Sequence, residues 1–90
     1  MTEQATAQVI MYSSSLCGFC FRAKRLLESK GVAYKEINVD RRNDLREQMM
    51  QITGGRTVPQ ILINGNAIGG CDELHMLDRQ QKLDPLLAAS

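Results

Sequence analysis

Ninety residues, 43% of them apolar, suffice for one hydrophobic core and leave no room for a second, so a single domain over 1–90 is expected, with 1–7 as a short flexible tail. A formal charge of +1 supplies no basic field to draw the chain to nucleic acid or to an anionic membrane, and no run approaches the ~18 apolar residues of a membrane span. Met1 to Ala7 has neither the basic nor the apolar region of a signal peptide and three cysteines cannot close a disulfide framework, which together predict a soluble, cytoplasmic protein.

The first element is Gln8-Val9-Ile10-Met11-Tyr12, a short β-rich run that suits a strand buried on both faces of a mixed or parallel sheet. Ser13 to Leu16 then read as a loop. From Cys20 onward, Ala23, Leu26 and Leu27 form a helical stripe that Lys30-Gly31 terminates. Residues 33–39 alternate as a second strand, with Tyr34, Glu36 and Asn38 on one face and Lys35, Ile37 and Val39 on the other. Asn43 is the expected N-cap of a second helix carrying Leu45, Met49 and Ile52, which Gly54-Gly55 ends. Gln60-Ile61-Leu62-Ile63 is a third strand, and Asn64-Gly65 is a hairpin signal leading to a short antiparallel fourth, Asn66-Ala67-Ile68. Gly69-Gly70 bends the chain into a helix bearing Leu74 and Leu77, with Asp72 and Glu73 placing negative charge on its first turn. Pro85 opens a last short helical turn. The order β-α-β-α-β-β-α describes an α/β domain, a central four-stranded mixed sheet flanked by helices.

Three segments carry chemistry. Cys17 and Cys20 stand three apart where the first helix begins, and the unpaired N–H groups and partial positive charge of a helix start stabilise a thiolate. Cys17, faced by the amides of Phe19 and Cys20, is therefore the expected nucleophile. Cys20, inside the first turn, is expected to stay a buried thiol until a mixed disulfide forms on Cys17, and then to resolve it. The pair also has the spacing of half a zinc site or a structural bridge, and with Cys71 and His75 it offers four ligands for a zinc-binding module. In Thr57-Val58-Pro59-Gln60, the proline is either a plain strand start or the site of a cis bond. A cis bond would turn the Val58 backbone outward to receive an extended peptide-like ligand. In Gly69-Gly70-Cys71-Asp72-Glu73-Leu74, the glycines expose backbone N–H groups to a carboxylate. Asp72 reads equally as a cap or as an ammonium-binding group, and Cys71 alone reads as a small buried hydrophobe.

Taken together in this order and spacing, from about Val9 to Leu87, Cys17-Gly18-Phe19-Cys20, Thr57-Val58-Pro59-Gln60 and Gly69-Gly70-Cys71-Asp72-Glu73-Leu74 resemble a small bacterial dithiol glutaredoxin. The resemblance implies a thioredoxin fold with a cis bond at Pro59. It implies a glutathione-dependent thiol-disulfide oxidoreductase that reduces protein-glutathione mixed disulfides and low-molecular-weight or protein disulfides. Glutathione would be the co-substrate and the source of electrons, with no flavin or nicotinamide. The partners would be glutathionylated or disulfide-containing proteins, with the chain itself a monomer. Carried over residue by residue, Val58 pairs with the cysteinyl backbone of glutathione, Cys71 and Asp72 hold its γ-glutamyl end, and Phe19, Thr57, Pro59 and Gly70 complete the glutathione-binding set. Phe19 stands where the family frequently has tyrosine.

Two departures from the family pattern matter. Gly18 stands where many members have proline, as in the single-thiol branch whose motif ends in serine, from which Cys20 separates this chain. The likeness to members that bridge two subunits through a [2Fe-2S] cluster with glutathione makes Cys17 a candidate cluster ligand, one per chain, in a cluster-bridged dimer. Ser14 stands where many members have a lysine that supports the thiolate and the glycyl carboxylate of glutathione. Activation of Cys17 then rests on helix-end amides, with Arg22, Lys24 or Arg56 as distant helpers, and a less acidic Cys17 is expected than in lysine-bearing relatives. Arg41, Arg42 and Arg46 are either carboxylate holders or the solvated start of a helix.

Overall fold

Met11 and Tyr12 are neighbours in the chain but fall into different hydrophobic cores, because successive side chains of a strand point to opposite faces of the sheet. The computed structural model describes residues 7–88, so most of the expected 1–7 tail lies outside the described residues. Its elements are β1 (Val9–Ser13), α1 (Gly18–Ser29), β2 (Lys35–Asn38), α2 (Asn43–Thr53), β3 (Gln60–Ile63), β4 (Asn66–Gly69), α3 (Cys71–Arg79) and α4 (Leu83–Ala88). The sheet order is β2-β1-β3-β4, with β1 parallel to β2 and antiparallel to β3, and β4 antiparallel to β3. This is the expected four-stranded mixed sheet.

Val9, Met11, Ile61 and Ile63 cover one face and pack against Ala23 and Leu27 of α1, Cys71 and Leu74 of α3, and Leu83 and Leu87 of α4. On the other face, Tyr12 and Leu62 meet Val39 and Met49 of α2. Burying both faces removes each of these side chains from water, roughly 1.5–3 kcal/mol for a full-sized aliphatic, and explains why β1 and β3 read as apolar runs rather than as alternating strands. Among the described residues no helix is long and apolar enough to cross a membrane.

The hairpin forms as its sequence predicts. Asn64 (φ 52°) and Gly65 (φ 82°) both take positive φ, the pattern of a type I′ turn. Asn64 also ties the turn to the start of β1, its side-chain oxygen accepting from the Gln8 N–H at 2.9 Å. A register shift follows, since Ile61 pairs with Gly69 but Leu62 with Ala67, leaving Ile68 as the extra residue of a bulge.

Several boundaries differ from expectation for identifiable reasons. Ser13 belongs to β1 and not to the loop: it is fully buried and its hydroxyl donates to Glu36 Oε2 at 2.5 Å, so the sheet supplies the partner that water would otherwise provide. Ala7 is not part of a loose tail, because its N–H donates to the Leu87 carbonyl at 3.0 Å and its side chain joins the core. The second strand is shorter than 33–39, and Asn43 is the first residue of α2 rather than its cap. Arg42 takes the cap position and clamps Asp44 of the first turn at 2.8 Å. α4 begins at Leu83, ahead of Pro85, because Leu83 is itself a fully buried anchor. The C-terminal end of α1 is fastened to both later helices by Lys30, whose ammonium reaches Asp78 at 2.6 Å and Asp84 at 2.9 Å.

Candidate active site

Strand direction brings three distant motifs together. β1 runs toward one end of the sheet and β3 runs away from it, so that Tyr12 pairs with Gln60, and β4 returns to set Gly69 beside Ile61. The segments after β1, before β3 and after β4 therefore share that end. They hold Cys17 to Cys20, Thr57 to Pro59, and Gly69 to Asp72.

Cys17 is the N-cap of α1, in extended conformation, and its sulfur accepts the Cys20 backbone N–H at 3.0 Å. Of the two amides expected to face it, Cys20's makes the bond. A sulfur here takes the place of the usual capping oxygen, and an anionic sulfur gains more from the donor than a neutral one. The first turn of α1 contains no acidic residue, so its positive end is not offset beside Cys17. Cys17 is half-buried whereas Cys20 is only 1% exposed, and the two are joined in a disulfide with Cα atoms 5.2 Å apart. One sulfur is thus accessible and the other enclosed.

The Val58-Pro59 bond is cis, as the family resemblance implies. Pro59 is buried, and the Val58 carbonyl oxygen lies 3.8 Å from Cys17 Sγ. Pairing of β3 starts at Gln60, so the sheet uses neither polar group of the Val58 backbone. The buried side chain of Gln60 supports this segment from below, its Nε2 donating to the Thr57 carbonyl at 2.9 Å.

At the third segment, Gly69 takes φ +116°, a conformation reserved for glycine. A Cβ on Gly70 would sit 3.1 Å from the Pro59 carbonyl oxygen, so glycine permits the close approach of these two loops. Glu73 performs the capping, accepting the Gly70 N–H at 2.8 Å. Asp72 does not cap: its exposed carboxylate makes no hydrogen bond or ion pair among the described residues and borders the groove. Cys71 is buried, with Sγ 3.4 Å from His75 Nδ1. Desolvation pushes its thiol above the ordinary value, with the charge of Arg22 opposing that rise, so it forms a neutral wall rather than a second nucleophile. Phe19, Thr57, Val58, Pro59, Gly70, Cys71, Asp72 and Glu73 together line a groove of about 420 Å³. The residues that the resemblance gives as a glutathione-binding set all line this groove, and Glu73 lines it with them.

Residues 9–68 match the family described as Glutaredoxin. The chain belongs to the glutaredoxin family. It is 47% identical over 81 residues to a glutaredoxin of Pseudomonas aeruginosa, covering 90% of this chain and 96% of that one. It is 48% identical over 81 residues to glutaredoxin 3 of Escherichia coli, covering 90% and 98%. The buckwheat glutaredoxin-glutathione complex superposes with a TM-score of 0.83 at 35% identity, covering 93% of this chain and 83% of that one. The sheet and helices described above are those of the thioredoxin fold, and family and fold establish a thiol-disulfide oxidoreductase with a disulfide-forming cysteine pair.

Within this glutaredoxin the basic residues near the site divide. Lys24 is turned to Glu36 at 3.2 Å, and Arg42 belongs to the start of α2. Arg22 lies over the Phe19 ring, 6.0 Å from its centroid, while the side chains of Arg41, Arg46 and Arg56 make no ion pair among the described residues.

At the position of the family lysine, Ser14 donates to Asp40 Oδ1 at 2.6 Å, and the Ser15 N–H donates to Asp40 Oδ2 at 3.0 Å. Asn38 closes the ring by accepting the Asp40 N–H at 2.8 Å and donating to Ser15 Oγ at 3.1 Å. Led by the Ser14 hydroxyl, these donors hold the Asp40 carboxyl down to about 2. This ring anchors the loop that presents Cys17. The sequence analysis gives Asp40 no part in the site, and the cluster of Ser, Asn and Asp around two strand ends is the signal that could have found it.

No three His, Cys, Asp or Glu side chains converge on a metal position among the described residues, so Cys17, Cys20, Cys71 and His75 do not form one zinc site. A [2Fe-2S] cluster takes four protein or external ligands, and with Cys20 and Cys71 buried this chain presents one accessible sulfur, that of Cys17. The residues of one chain do not fit a cluster by themselves.

Proposed function

We propose that the chain reduces protein-glutathione mixed disulfides, and low-molecular-weight or protein disulfides, at the expense of glutathione in the cytoplasm, with Cys17 as nucleophile and Cys20 as resolving thiol. The observation that carries this reading is the groove beside Cys17, lined by Val58, whose backbone lies outside the sheet pairing, and by Asp72, whose carboxylate is uncommitted. A volume of about 420 Å³ is in the range of small-ligand sites. The N–H and C=O of Val58 pair with the cysteinyl backbone of glutathione as an added strand. Asp72 receives the γ-glutamyl ammonium, and the amides that open α3 receive its carboxylate. Phe19 and Pro59 supply apolar walls.

The Cys17 thiolate attacks the glutathionyl sulfur of a mixed disulfide. A Cys17-glutathione bond forms, the substrate S–S bond breaks, and the substrate sulfur leaves as thiolate and is protonated by solvent. A second glutathione thiolate then attacks the bound glutathionyl sulfur, giving glutathione disulfide and restoring Cys17. On a protein disulfide, Cys17 forms a mixed disulfide with the substrate, the Cys20 thiolate attacks Cys17 Sγ to release the second substrate thiol, and two glutathiones reduce the resulting Cys17-Cys20 bond. Glutathione supplies the electrons throughout, so the cycle uses no flavin or nicotinamide in this chain. A reducing compartment suits a chain that must return its dithiol to the reduced form and keep Cys71 as a thiol.

A coupled assay with glutathione, glutathione reductase and a small glutathione mixed disulfide tests the reading. Turnover is expected and is abolished by Cys17→Ser. Turnover supported by an unrelated dithiol reductant but not by glutathione would overturn it.

A further inference from the structure

We propose that a second groove, between α1 and α3, docks the polypeptide of protein substrates and selects acidic segments with an apolar side chain near the disulfide-bearing cysteine. The proposal rests on the reading above and adds the substrate class. Phe21, Arg22, Arg25 and Leu26 of α1 and His75 of α3 line this groove of about 400 Å³. It continues the site. Phe19 and Cys71 both line the glutathione groove, and one helical turn further, about 5.4 Å along, Arg22 and His75 line the second. Arg22 over the Phe19 ring, and Cys71 Sγ 3.4 Å from His75, join the two. A substrate held by its sulfur at Cys17 reaches the second groove within a few residues of extended chain.

The surface has the chemistry of a contact face. Leu16 is 98% exposed, Phe19 55% and Phe21 56%, and all three stand within four residues of Cys17 in the chain. Lys24, Lys30 and Arg42 are each paired with a carboxylate, whereas Arg22 and Arg25 make no ion pair among the described residues. Each is instead laid over a phenyl ring, Arg22 at 6.0 Å from Phe19 and Arg25 at 5.7 Å from Phe21. Stacking orders the planar guanidinium and leaves its N–H edge for a carboxylate. With a net charge of only +1 the whole chain exerts little pull, so the preference is local to this face.

Two glutathionylated peptides of equal length test it, one carrying Asp, Glu and Leu beside the modified cysteine and the other with Lys in place of the acids. The acidic peptide is expected to have a kcat/KM higher by about three- to tenfold, the range for one or two exposed ion pairs, and the gap is expected to shrink as salt rises. Arg25→Glu reverses the order, and Phe21→Ala lowers both, while turnover of a small mixed disulfide is unchanged in each. Equal kcat/KM for the two peptides, or an Arg25→Glu variant that loses small-substrate turnover equally, overturns the proposal. Titration of the same peptides without the glutathionyl group reads the groove independently of turnover. Preferential binding of the acidic peptide supports docking even where the glutathione reading fails, and equal binding rejects it. A change in sedimentation of the chain alone on Arg25→Glu would make the face a contact between copies and would also reject it.

Discussion

The backbone N–H of Cys20 points at Cys17 Sγ across 3.0 Å, so the residue assigned to resolution also supplies the donor that steadies the nucleophile. The donor is main chain and survives loss of the Cys20 sulfur. Cys20→Ser is therefore expected to keep deglutathionylation of a small mixed disulfide at the wild-type order of magnitude while losing dithiol reduction of protein disulfides. Cys17→Ser loses both. Parallel assays on the two substrate types check this division, and equal losses in the two variants contradict it.

Ser14, at the position of the family lysine, gives its hydroxyl to Asp40. In a single-thiol background, Cys20→Ser with Cys71→Ser, the substitution Ser14→Lys is expected to lower the Cys17 pKa by a few tenths to about one unit, as a nearby cation favours the thiolate. The ammonium will share its charge with Asp40, which now takes the Ser14 hydroxyl. Adding Asp40→Asn removes that competitor and should lower the pKa further. Ultraviolet titration of the thiolate reads both steps. An unchanged or raised value in Ser14→Lys would show that charge at residue 14 does not tune Cys17.

Much of the architecture was legible because the local signals agreed with the global fold. Asn64-Gly65 demands positive φ twice and obtains it, and the apolar runs at β1 and β3 reflect burial on both faces. What escaped depends on partners far along the chain. Nothing local to Ser13 shows that Glu36, 23 residues on, will accept a hydrogen bond from its hydroxyl, so a serine cluster reads as loop. The same holds for Asp40, whose ring with Ser14 and Ser15 exists only once β1 and β2 are paired. At α3, two adjacent acids each fit a cap, and only the geometry gives that task to Glu73 and leaves Asp72 to the groove.

The two phenols make a clean pH probe because the chain has no Trp. Tyr34 is pushed up to about 12, first by desolvation and then by its hydrogen bond to Glu28 at 3.0 Å, and burial also raises Tyr12. A raised folded-state value means that the folded protein holds the proton more tightly. The stabilisation is fully present below the unfolded phenol value of ~10 and is lost as pH rises through the folded value of about 12. Denaturant midpoints measured across that window should fall more steeply for the wild type than for Tyr34→Phe. Parallel curves would show that Tyr34 titrates alike in both states.

On α1, Leu27 and Phe21 have opposite surroundings, and the helix should reveal this as stability. Leu27 is fully enclosed, on the stripe that also carries Cys20 and Ala23, while Phe21 is 56% exposed. Leu27→Ala should cost about 2–5 kcal/mol through lost burial and a residual cavity. Phe21→Ala should stay within about 0.5 kcal/mol, which is why it can serve in the docking test without unfolding the chain. Urea unfolding of the reduced protein measures both. Because the new cavity opens on the face shared with Cys20, Leu27→Ala should also speed alkylation of that thiol. A stability loss below about 1 kcal/mol, with Cys20 still protected, would mean that α1 is held to the sheet by its ends rather than by this stripe.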